Sequence, residues 1–350
     1  MISEKPSKLI LANNESFAGY SPVWIEGTFT GEVVFTTGMT GYPESLTDPS
    51  YTGQILLFTY PLIGNYGVPP PENWESQKIH LSGVAVSEAC HSWSHHAGLH
   101  SLEEWLKVQK VPIITGIDTR QITKILRASG TMLGAITTET NISIDFSDPN
   151  KEHLVSRAGQ KEIKSYEGGT KTVIAIDCGM KENIIRSLRK FPINIKRVPY
   201  NYDFTHENYD GVFISNGPGD PTQCKETIQI LKKVMQGNKP VFGICLGTQL
   251  MALASGATTY KLPFGHRGHN QPCIELESSR CYITSQNHGF AVDEKTLSKD
   301  WQVTFRNLND GSVEGIAHKT KPFFSVQFHP EASPGPTDTL SLFNKFYQTL

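Results

Sequence analysis

Short apolar runs separated by turn residues dominate the chain up to about residue 148. Residues 9–11, 32–35 and 54–58 are mainly apolar, and glycines, prolines and asparagines stand between them. Such runs are typical of β-strands joined by turns. Residues 102–109 and 120–128 instead repeat their apolar positions with a helical period. The pattern therefore predicts a β-rich domain with a few helices over residues 1–148.

The pattern changes after a polar, charged stretch at residues 149–171, which has the composition of a linker. Over residues 172–350, strand-like runs alternate with segments of helical period. The strands are expected at 173–176, 193–198, 211–215 and 241–244, and the helices at 181–190, 225–236 and 246–254. This alternation predicts an α/β fold, an open and mostly parallel sheet with helices on both faces. The functional site of such a sheet lies at the carboxyl ends of its strands.

The composition argues against several classes of protein. The 350 residues carry 32 basic and 34 acidic side chains, which leaves no basic excess for binding nucleic acid or an anionic membrane. The six cysteines form no C-x-x-C pair, so neither a zinc ribbon nor a secreted disulfide framework is indicated. The first residues form neither a long apolar run nor an arginine-rich amphipathic segment. We therefore expect a cytoplasmic protein whose partners are small molecules or another protein.

One cysteine, Cys245, stands where a strand-like run meets a helix, with Gly243 two residues before it and Gly247 two residues after it. A strand-to-helix turn of this type strains the backbone and needs small residues at those two positions. The first N–H groups of the helix and the positive end of its dipole face the sulfur and favour the thiolate. Taken alone, the segment fits a nucleophile and a buried cysteine in a glycine-rich turn about equally well.

A nucleophilic cysteine needs a base, and the base needs a group that orients it. His329 and Glu331 directly follow a strand-like run at 323–327, so they are also expected at a strand end. The carboxylate of Glu331 can bond one ring nitrogen of His329 while the other nitrogen faces the thiol. By itself, a His-x-Glu sequence is more often an ordinary surface pair.

A loop rich in glycine and proline at residues 215–221 follows another predicted strand. Attack on a carbonyl produces an oxyanion, which backbone N–H groups stabilise only where the chain approaches without an intervening side chain. Gly217 and Gly219 permit that approach, and the N–H of Leu246, the residue after Cys245, is the expected second donor. Gly-Pro-Gly loops are also common turns, so this segment is informative only together with the other two.

The order and approximate spacing of these three segments resemble those of the class I, triad-type glutamine amidotransferases. The resemblance implies hydrolysis of the glutamine side-chain amide through a γ-glutamyl thioester, with release of ammonia for a second active site. In the roles that it implies, Cys245 attacks the amide, His329 acts first as base and then as acid, and Glu331 orients His329.

Motifs in the first half make the resemblance more specific. Residues 31–35, 39–42, 46–51, 59–65 and 116–120, together with 285–290 in the second half, are similar to the small subunit of carbamoyl phosphate synthetase. This family places its glutamine-binding roles on eight positions of this chain, which are Ser50, Gly217, Gly219, Leu246, Gln249, Asn287, Gly289 and Phe290.

The same resemblance implies a large synthetase subunit as partner, docked mainly by the N-terminal domain. The chain shows no P-loop, no glycine-rich kinase loop and no cluster of metal carboxylates. We therefore expect no cofactor and no metal in this chain, and we expect ATP, magnesium and bicarbonate to be used by the partner subunit.

Two other functions remain open on the sequence alone. One is a glutaminase that serves another synthase, such as those for anthranilate or guanylate, although the 148 residues before the linker argue against it. The other is a non-catalytic regulatory or scaffold protein with the same fold. The sequence does not distinguish arginine from pyrimidine synthesis. Four histidines close in sequence suggest a metal site, but without nearby carboxylates or cysteines they fit a loop or helix edge better: His91, His95, His96 and His100.

Overall fold

The computed structural model describes residues 3–140 and 142–350. It divides into two compact units, Met1–Glu152 and His153–Leu350. The boundary lies close to residue 148, where the hydrophobic pattern places the end of the first domain.

Unit 1 is built around a seven-stranded sheet with the strand order β2-β1-β9-β3-β4-β6-β8. Strands β3, β4, β6 and β8 pair in parallel, whereas β9, β1 and β2 add to them in antiparallel fashion. The strands are β1 (Glu4–Leu11), β2 (Ser16–Pro22), β3 (Thr28–Thr36), β4 (Gln54–Phe58), β5 (Leu62–Ile63), β6 (Gly83–Ala85), β7 (Glu88–Ala89), β8 (Ile113–Ile114) and β9 (Met132–Thr137). Strands β5 and β7 form a separate parallel pair. The strands expected at 9–11, 32–35 and 54–58 are confirmed as parts of β1, β3 and β4.

Three helices accompany this sheet: α1 (Tyr42–Thr47), α2 (Leu102–Gln109) and α3 (Thr119–Ser129). Helix α2 begins at a capping box in which the Ser101 side chain accepts the N–H of Glu104. It ends where Lys110 takes the left-handed conformation. Helix α3 begins where the Asp118 carboxylate accepts the N–H of Gln121. Both helices predicted from their apolar period are therefore confirmed.

Unit 2 contains a ten-stranded sheet with the order β10-β12-β11-β13-β14-β19-β18-β17-β15-β16. Strands β12, β11, β13, β14 and β19 form a continuous parallel block, and the remaining strands pair antiparallel. The strands are β10 (Lys164–Tyr166), β11 (Lys171–Asp177), β12 (Ile193–Pro199), β13 (Gly211–Ile214), β14 (Val241–Ile244), β15 (Thr259–Glu275), β16 (Cys281–Val292), β17 (Trp301–Asn307), β18 (Val313–His318) and β19 (Phe323–Val326). The helices are α4 (Leu154–Ala158), α5 (Glu182–Leu188), α6 (Lys225–Val234), α7 (Leu246–Ala254) and α8 (Ser341–Thr349).

Alternate side chains of the parallel strands are buried on opposite faces of the sheet, as the two-residue period of a strand requires. Ile174 and Ile214 belong to one hydrophobic cluster, which also contains side chains of α6 and α7. Val173 and Phe213 belong to a second cluster, which contains side chains of α5 and α8. Both faces are thus covered by helices, and the predicted α/β fold is confirmed.

The segment predicted to be a linker requires a correction. Residues 153–171 belong to unit 2 and contain helix α4 and strand β10, which pairs with β12 at the end of the sheet. Because β10 is a short edge strand with largely exposed side chains, its polar composition cannot be distinguished from that of an irregular connection.

All six cysteines are free thiols, and four of them are buried: Cys178, Cys224, Cys245 and Cys273. Over the described residues, no helix is both long and apolar enough to cross a membrane.

Candidate active site

Cys245 lies directly between β14 and α7, at φ 53° and ψ −104°. A non-glycine residue at positive φ costs about 1–3 kcal/mol and persists only where its surroundings fix it. Here the Cys245 N–H donates to the carbonyl of Val326 over 2.9 Å. A β-carbon on Gly243 would lie 2.8 Å from the backbone of Gly247, and one on Gly247 would lie 2.5 Å from the carbonyl oxygen of Ile214. The strained turn and its need for two small residues are therefore confirmed.

His329 follows β19, and its N–H donates to the carbonyl of Ser285 on β16 over 2.8 Å. Its Nδ1 lies 2.6 Å from Oε1 of Glu331, and both side chains are buried. Because a carboxylate only accepts, Nδ1 carries a proton and Nε2 remains for another group. The Cys245 thiol interacts with the ring from the side that Glu331 leaves open. His329 therefore has one nitrogen fixed by Glu331 and the other open to a reacting proton.

The charges of the site reinforce this arrangement. Burial opposes the charged form of His329, but Glu331 and then Cys245 outweigh burial and raise the pKa of His329. Burial acts to raise the pKa of Glu331, but the charges of His329 and Lys181 outweigh that effect and lower it. The Cys245 thiol faces the carbonyl of Asn287 at 3.7 Å and is close enough to His329 to act on its charge. The three residues predicted to be catalytic thus lie together in one buried site.

Lys181 is a member of this site that sequence reasoning missed. It is only 2% exposed, its Nζ lies 3.4 Å from Oε1 of Glu331, and it also donates to the carbonyl of Ala332. Its backbone N–H donates to the side chain of Asn216 over 3.0 Å. At the start of a helix such a lysine looks like a surface residue, so no local signal identifies it.

The loop at residues 215–221 is hydrogen-bonded to and packed against the residue that follows β11. The hydroxyl of Ser215 accepts the N–H of Cys178 over 3.0 Å and donates to the carbonyl of Asn216. A β-carbon on Gly217 would lie 2.2 Å from the carbonyl oxygen of Cys178, and Gly219 adopts φ 85°. Both positions therefore require glycine, as the proposed backbone approach demands.

Several residues predicted to bind substrate lie against the turn at Cys245. Gln249 donates from Nε2 to the carbonyl of Phe290 over 2.9 Å and to Oε1 of Gln327 over 3.1 Å. Leu246 opens helix α7 and is buried. Its side chain lies against Gly217, where an added β-carbon would meet it at 2.7 Å.

Gly289 lies beside the Arg267 guanidinium, which an added β-carbon would approach to 3.2 Å, and Gly219 faces Leu154 of α4. Ser50 lies in unit 1, in a buried 3₁₀ turn where its N–H donates to the carboxylate of Asp48. The roles assigned to these residues remain predictions.

The histidines at 91, 95, 96 and 100 are all exposed. Within the described part of the chain, a different group combines residues of metal-ligating type, namely the buried His266, His288 and Glu314. The sequence pattern gave no indication of this group, because its members come from three separate strands.

We expect Lys181→Met to shift the acid limb of kcat/KM for glutamine to higher pH. Lys181 lowers the pKa of Glu331, so its loss raises that pKa, and Glu331 becomes protonated and stops orienting His329 at a higher pH. Removing one partner of a buried ion pair also destabilises the fold by about 3–5 kcal/mol. The check is a pH–rate profile together with thermal unfolding. Lys233→Met, at an exposed lysine paired with Asp203, is the control and is expected to move neither. An acid limb that stays in place or moves to lower pH contradicts the assignment.

Comparison with known protein families agrees with this geometry. Residues 174–349 match the model for glutamine amidotransferase class-I, and residues 9–136 match that for the carbamoyl-phosphate synthase small chain, CPSase domain. Unit 2 therefore carries the class-I glutamine amidotransferase domain.

Individual relatives cover almost the whole chain. This chain is 46% identical to the carbamoyl phosphate synthase arginine-specific small chain of Saccharomyces cerevisiae. The match covers 97% of this chain and 87% of that protein. The chain is 48% identical to the protein of the same description from Neurospora crassa, over 92% of this chain and 75% of that protein. It is also 50% identical to the multifunctional protein CAD of Squalus acanthias, over 97% of this chain but only 16% of that protein's length. The chain belongs to the carbamoyl-phosphate synthase small-chain family.

Proposed function

We propose that this chain is the glutaminase component of a carbamoyl phosphate synthetase. It hydrolyses L-glutamine to glutamate and ammonia and passes the ammonia to a large synthetase subunit, which makes carbamoyl phosphate from bicarbonate and ATP. The observation that carries the proposal is the buried His329–Glu331 pair, with Nδ1 and Oε1 2.6 Å apart, beside a cysteine held at a strained strand-to-helix turn.

The chemistry assigned to each residue follows from this arrangement. Cys245 attacks the amide carbon after His329 accepts its proton at Nε2, and the N–H groups of Gly219 and Leu246 stabilise the oxyanion. His329 then donates the proton to the departing ammonia and leaves a γ-glutamyl thioester. Next, His329 takes a proton from water as the water oxygen attacks the thioester carbon. The C–S bond then breaks and releases glutamate, and the proton returns from His329 to the Cys245 sulfur. Glu331 holds the protonated Nδ1 throughout and stabilises the imidazolium.

The glutamine-binding roles are proposed for residues that frame the nucleophile turn. Gln249 contacts the substrate's polar end, and the backbone at Gly289 and Phe290 holds its α-amino and α-carboxylate groups. The carbonyl oxygen of Asn287 faces the Cys245 thiol. Gly217 keeps the loop backbone open to the substrate. The glutamine-binding role of Ser50 rests on the sequence resemblance alone.

The partner proposal is supported by the family match of residues 9–136 and by relatives described as carbamoyl phosphate synthase small chains. We assign the docking surface mainly to unit 1, and we assign ATP, magnesium and bicarbonate to the partner, with no cofactor in this chain. The long multifunctional relative allows the synthetase to be part of the same polypeptide as well as a separate subunit. Cytoplasmic location is part of the same proposal.

Labelling with a chloroketone analogue of glutamine tests the nucleophile. The reagent is expected to add once, to the peptide that contains Cys245, and excess glutamine is expected to slow the addition. Peptide mass spectrometry measures both effects. Labelling spread over several of the six cysteines without protection by glutamine contradicts the proposal, and it favours the non-catalytic alternative.

Glutaminase kinetics with and without a purified large subunit test the partnership. We expect weak hydrolysis by the chain alone and strong activation by the carbamoyl phosphate synthetase subunit. If a partner for anthranilate or guanylate synthesis activated the chain instead, the proposed partnership with carbamoyl phosphate synthetase would be wrong.

A further inference from the structure

A group of polar side chains connects the turn between β17 and β18 with residues 287–290 of β16. We call it the Glu314 network, and its members are Asp310, His266, Glu314 and His288. Glu314 is fully buried, and both histidines are nearly so. Only Asp310 reaches solvent, with 41% of its side chain exposed. None of these residues belongs to the catalytic triad, although His288 stands between two residues assigned to substrate binding.

Opposite charges hold His266 between Asp310 and Glu314. Nε2 of His266 lies 2.8 Å from the Asp310 carboxylate, and Nδ1 lies 3.3 Å from Oε1 of Glu314. Burial opposes the charge on His266, but the two carboxylates outweigh it and raise its pKa to about 9. Each ring nitrogen therefore faces a carboxylate oxygen, which only accepts hydrogen bonds.

His288 connects this network to the strand residues that lie beside the turn at Cys245. Its ring packs edge-on against the His266 ring, with 4.9 Å between the ring centroids. Burial lowers the pKa of His288, which favours its neutral form. Its Nε2 lies 3.1 Å from Oε1 of Gln286 and 3.8 Å from Oε1 of Glu314, and the second distance is too long for a hydrogen bond. Its Nδ1 lies 2.8 Å from the carbonyl of Phe290, and because that oxygen only accepts, Nδ1 donates. Gln249 donates to the same oxygen over 2.9 Å. The Phe290 carbonyl thus accepts hydrogen bonds from both His288 and Gln249. It lies three residues along the strand from Asn287, whose carbonyl faces Cys245.

Stability alone does not account for this cluster. Oε2 of Glu314 is buried and has no hydrogen-bond partner in the described ranges, so the carboxylate is only partly compensated for its loss of water. Buried ion pairs of this kind can often be replaced by apolar residues without loss of stability. What the network does supply is a fixed orientation for His288 and for the backbone that follows it.

We propose that Glu314 and His266 are positioning residues for glutamine. They hold His288, and through it the backbone of residues 287–290, in the orientation that binds the α-amino and α-carboxylate groups of the substrate. The inference rests on the proposed glutaminase function. Neither residue touches the reacting atoms, so both act on substrate binding rather than on the chemical step.

Steady-state glutamine hydrolysis by the complete synthetase assembly tests this assignment. Glu314→Gln keeps the side-chain volume and removes the charge. We expect KM for glutamine to rise about tenfold and kcat to change less than about threefold. A tenfold rise in KM corresponds to the binding free energy lost with one charge-assisted hydrogen bond. His266→Gln is expected to show the same split. Glu294→Gln is the matched control, because Glu294 forms an exposed ion pair with Arg306, and we expect its KM to stay unchanged.

A merely structural role predicts a different result. Fewer correctly folded molecules would lower kcat and leave KM unchanged, and that outcome overturns the inference. If Glu314→Gln does not fold, Asp310→Asn at the exposed end of the network replaces it, with an expected rise in KM of about two- to fivefold. An unchanged KM in that folded variant also overturns the inference. A wild-type assembly without glutamine hydrolysis would overturn the proposed function and this inference with it, whereas an active wild type with unchanged variants overturns this inference alone.

Discussion

Replacing Cys245 with serine is expected to lower glutamine hydrolysis by at least about a thousandfold, as the loss of a nucleophile does in other triads. A serine hydroxyl is far less acidic than a thiol, so the proposed base His329 removes its proton much less readily. Because the exchange is nearly isosteric, the thermal unfolding temperature should stay close to that of the wild type. Release of glutamate from glutamine is the measurement.

Two comparisons make this result specific. Synthesis of carbamoyl phosphate from added ammonia by the complete enzyme should continue in Cys245→Ser, because ammonia bypasses the cysteine. Cys281→Ser, at an exposed cysteine, should keep full glutamine activity. Substantial glutamine-dependent synthesis by Cys245→Ser would rule out this residue as the nucleophile.

Gly247→Ala is expected to lower kcat by about a hundredfold or more, the loss that follows a displacement of about 1 Å in a reacting group. The added β-carbon would lie 2.5 Å from the carbonyl oxygen of Ile214 and 3.1 Å from its carbonyl carbon. These are backbone atoms of a buried strand, so helix α7 must shift, and Cys245 shifts with its start. We also expect a loss of about 1–3 kcal/mol in the free energy of unfolding, as for other overpacked positions.

Gly237→Ala is the matched control for this change. A β-carbon there would meet only the carbonyl oxygen of Val234, at 3.4 Å, which is an ordinary contact. We expect wild-type kcat and unfolding free energy. If Gly247→Ala behaves like this control, the close packing of the turn does not govern the position of the nucleophile.

Local patterns were sufficient to predict the bounds of several elements, including the two that meet at Cys245. Strand β14 and helices α2 and α7 agree with their predicted bounds, because each combines a clear apolar period with a distinct beginning or end. The glycines around Cys245 were also predictable, since the strained turn restricts residue size at fixed spacings. By contrast, the edge strand β10 was read as part of a linker, because its identity depends on pairing with β12 rather than on its own residues.

Residues that join the site through long-range contacts could not be predicted in the same way. Lys181 reaches Glu331, 150 residues further along the chain, and only the folded sheet brings them together. Glu314 and His266 come from different strands and look like ordinary polar residues in a β-hairpin region. A buried charge is defined by its surroundings, and a single sequence does not show those surroundings.

The pairing of β14 with β19 has a consequence for the timing of reactivity. In this parallel ladder Ile244 lies opposite Val326, so Cys245 and His329, the proposed nucleophile and base, follow neighbouring strand ends. All of β15 to β18 lies between these two strands in sequence. During synthesis the cysteine therefore emerges well before the histidine that activates it. On the proposed mechanism, we expect no glutamine hydrolysis until β19 pairs with β14, so a partly made or misfolded copy does not consume glutamine.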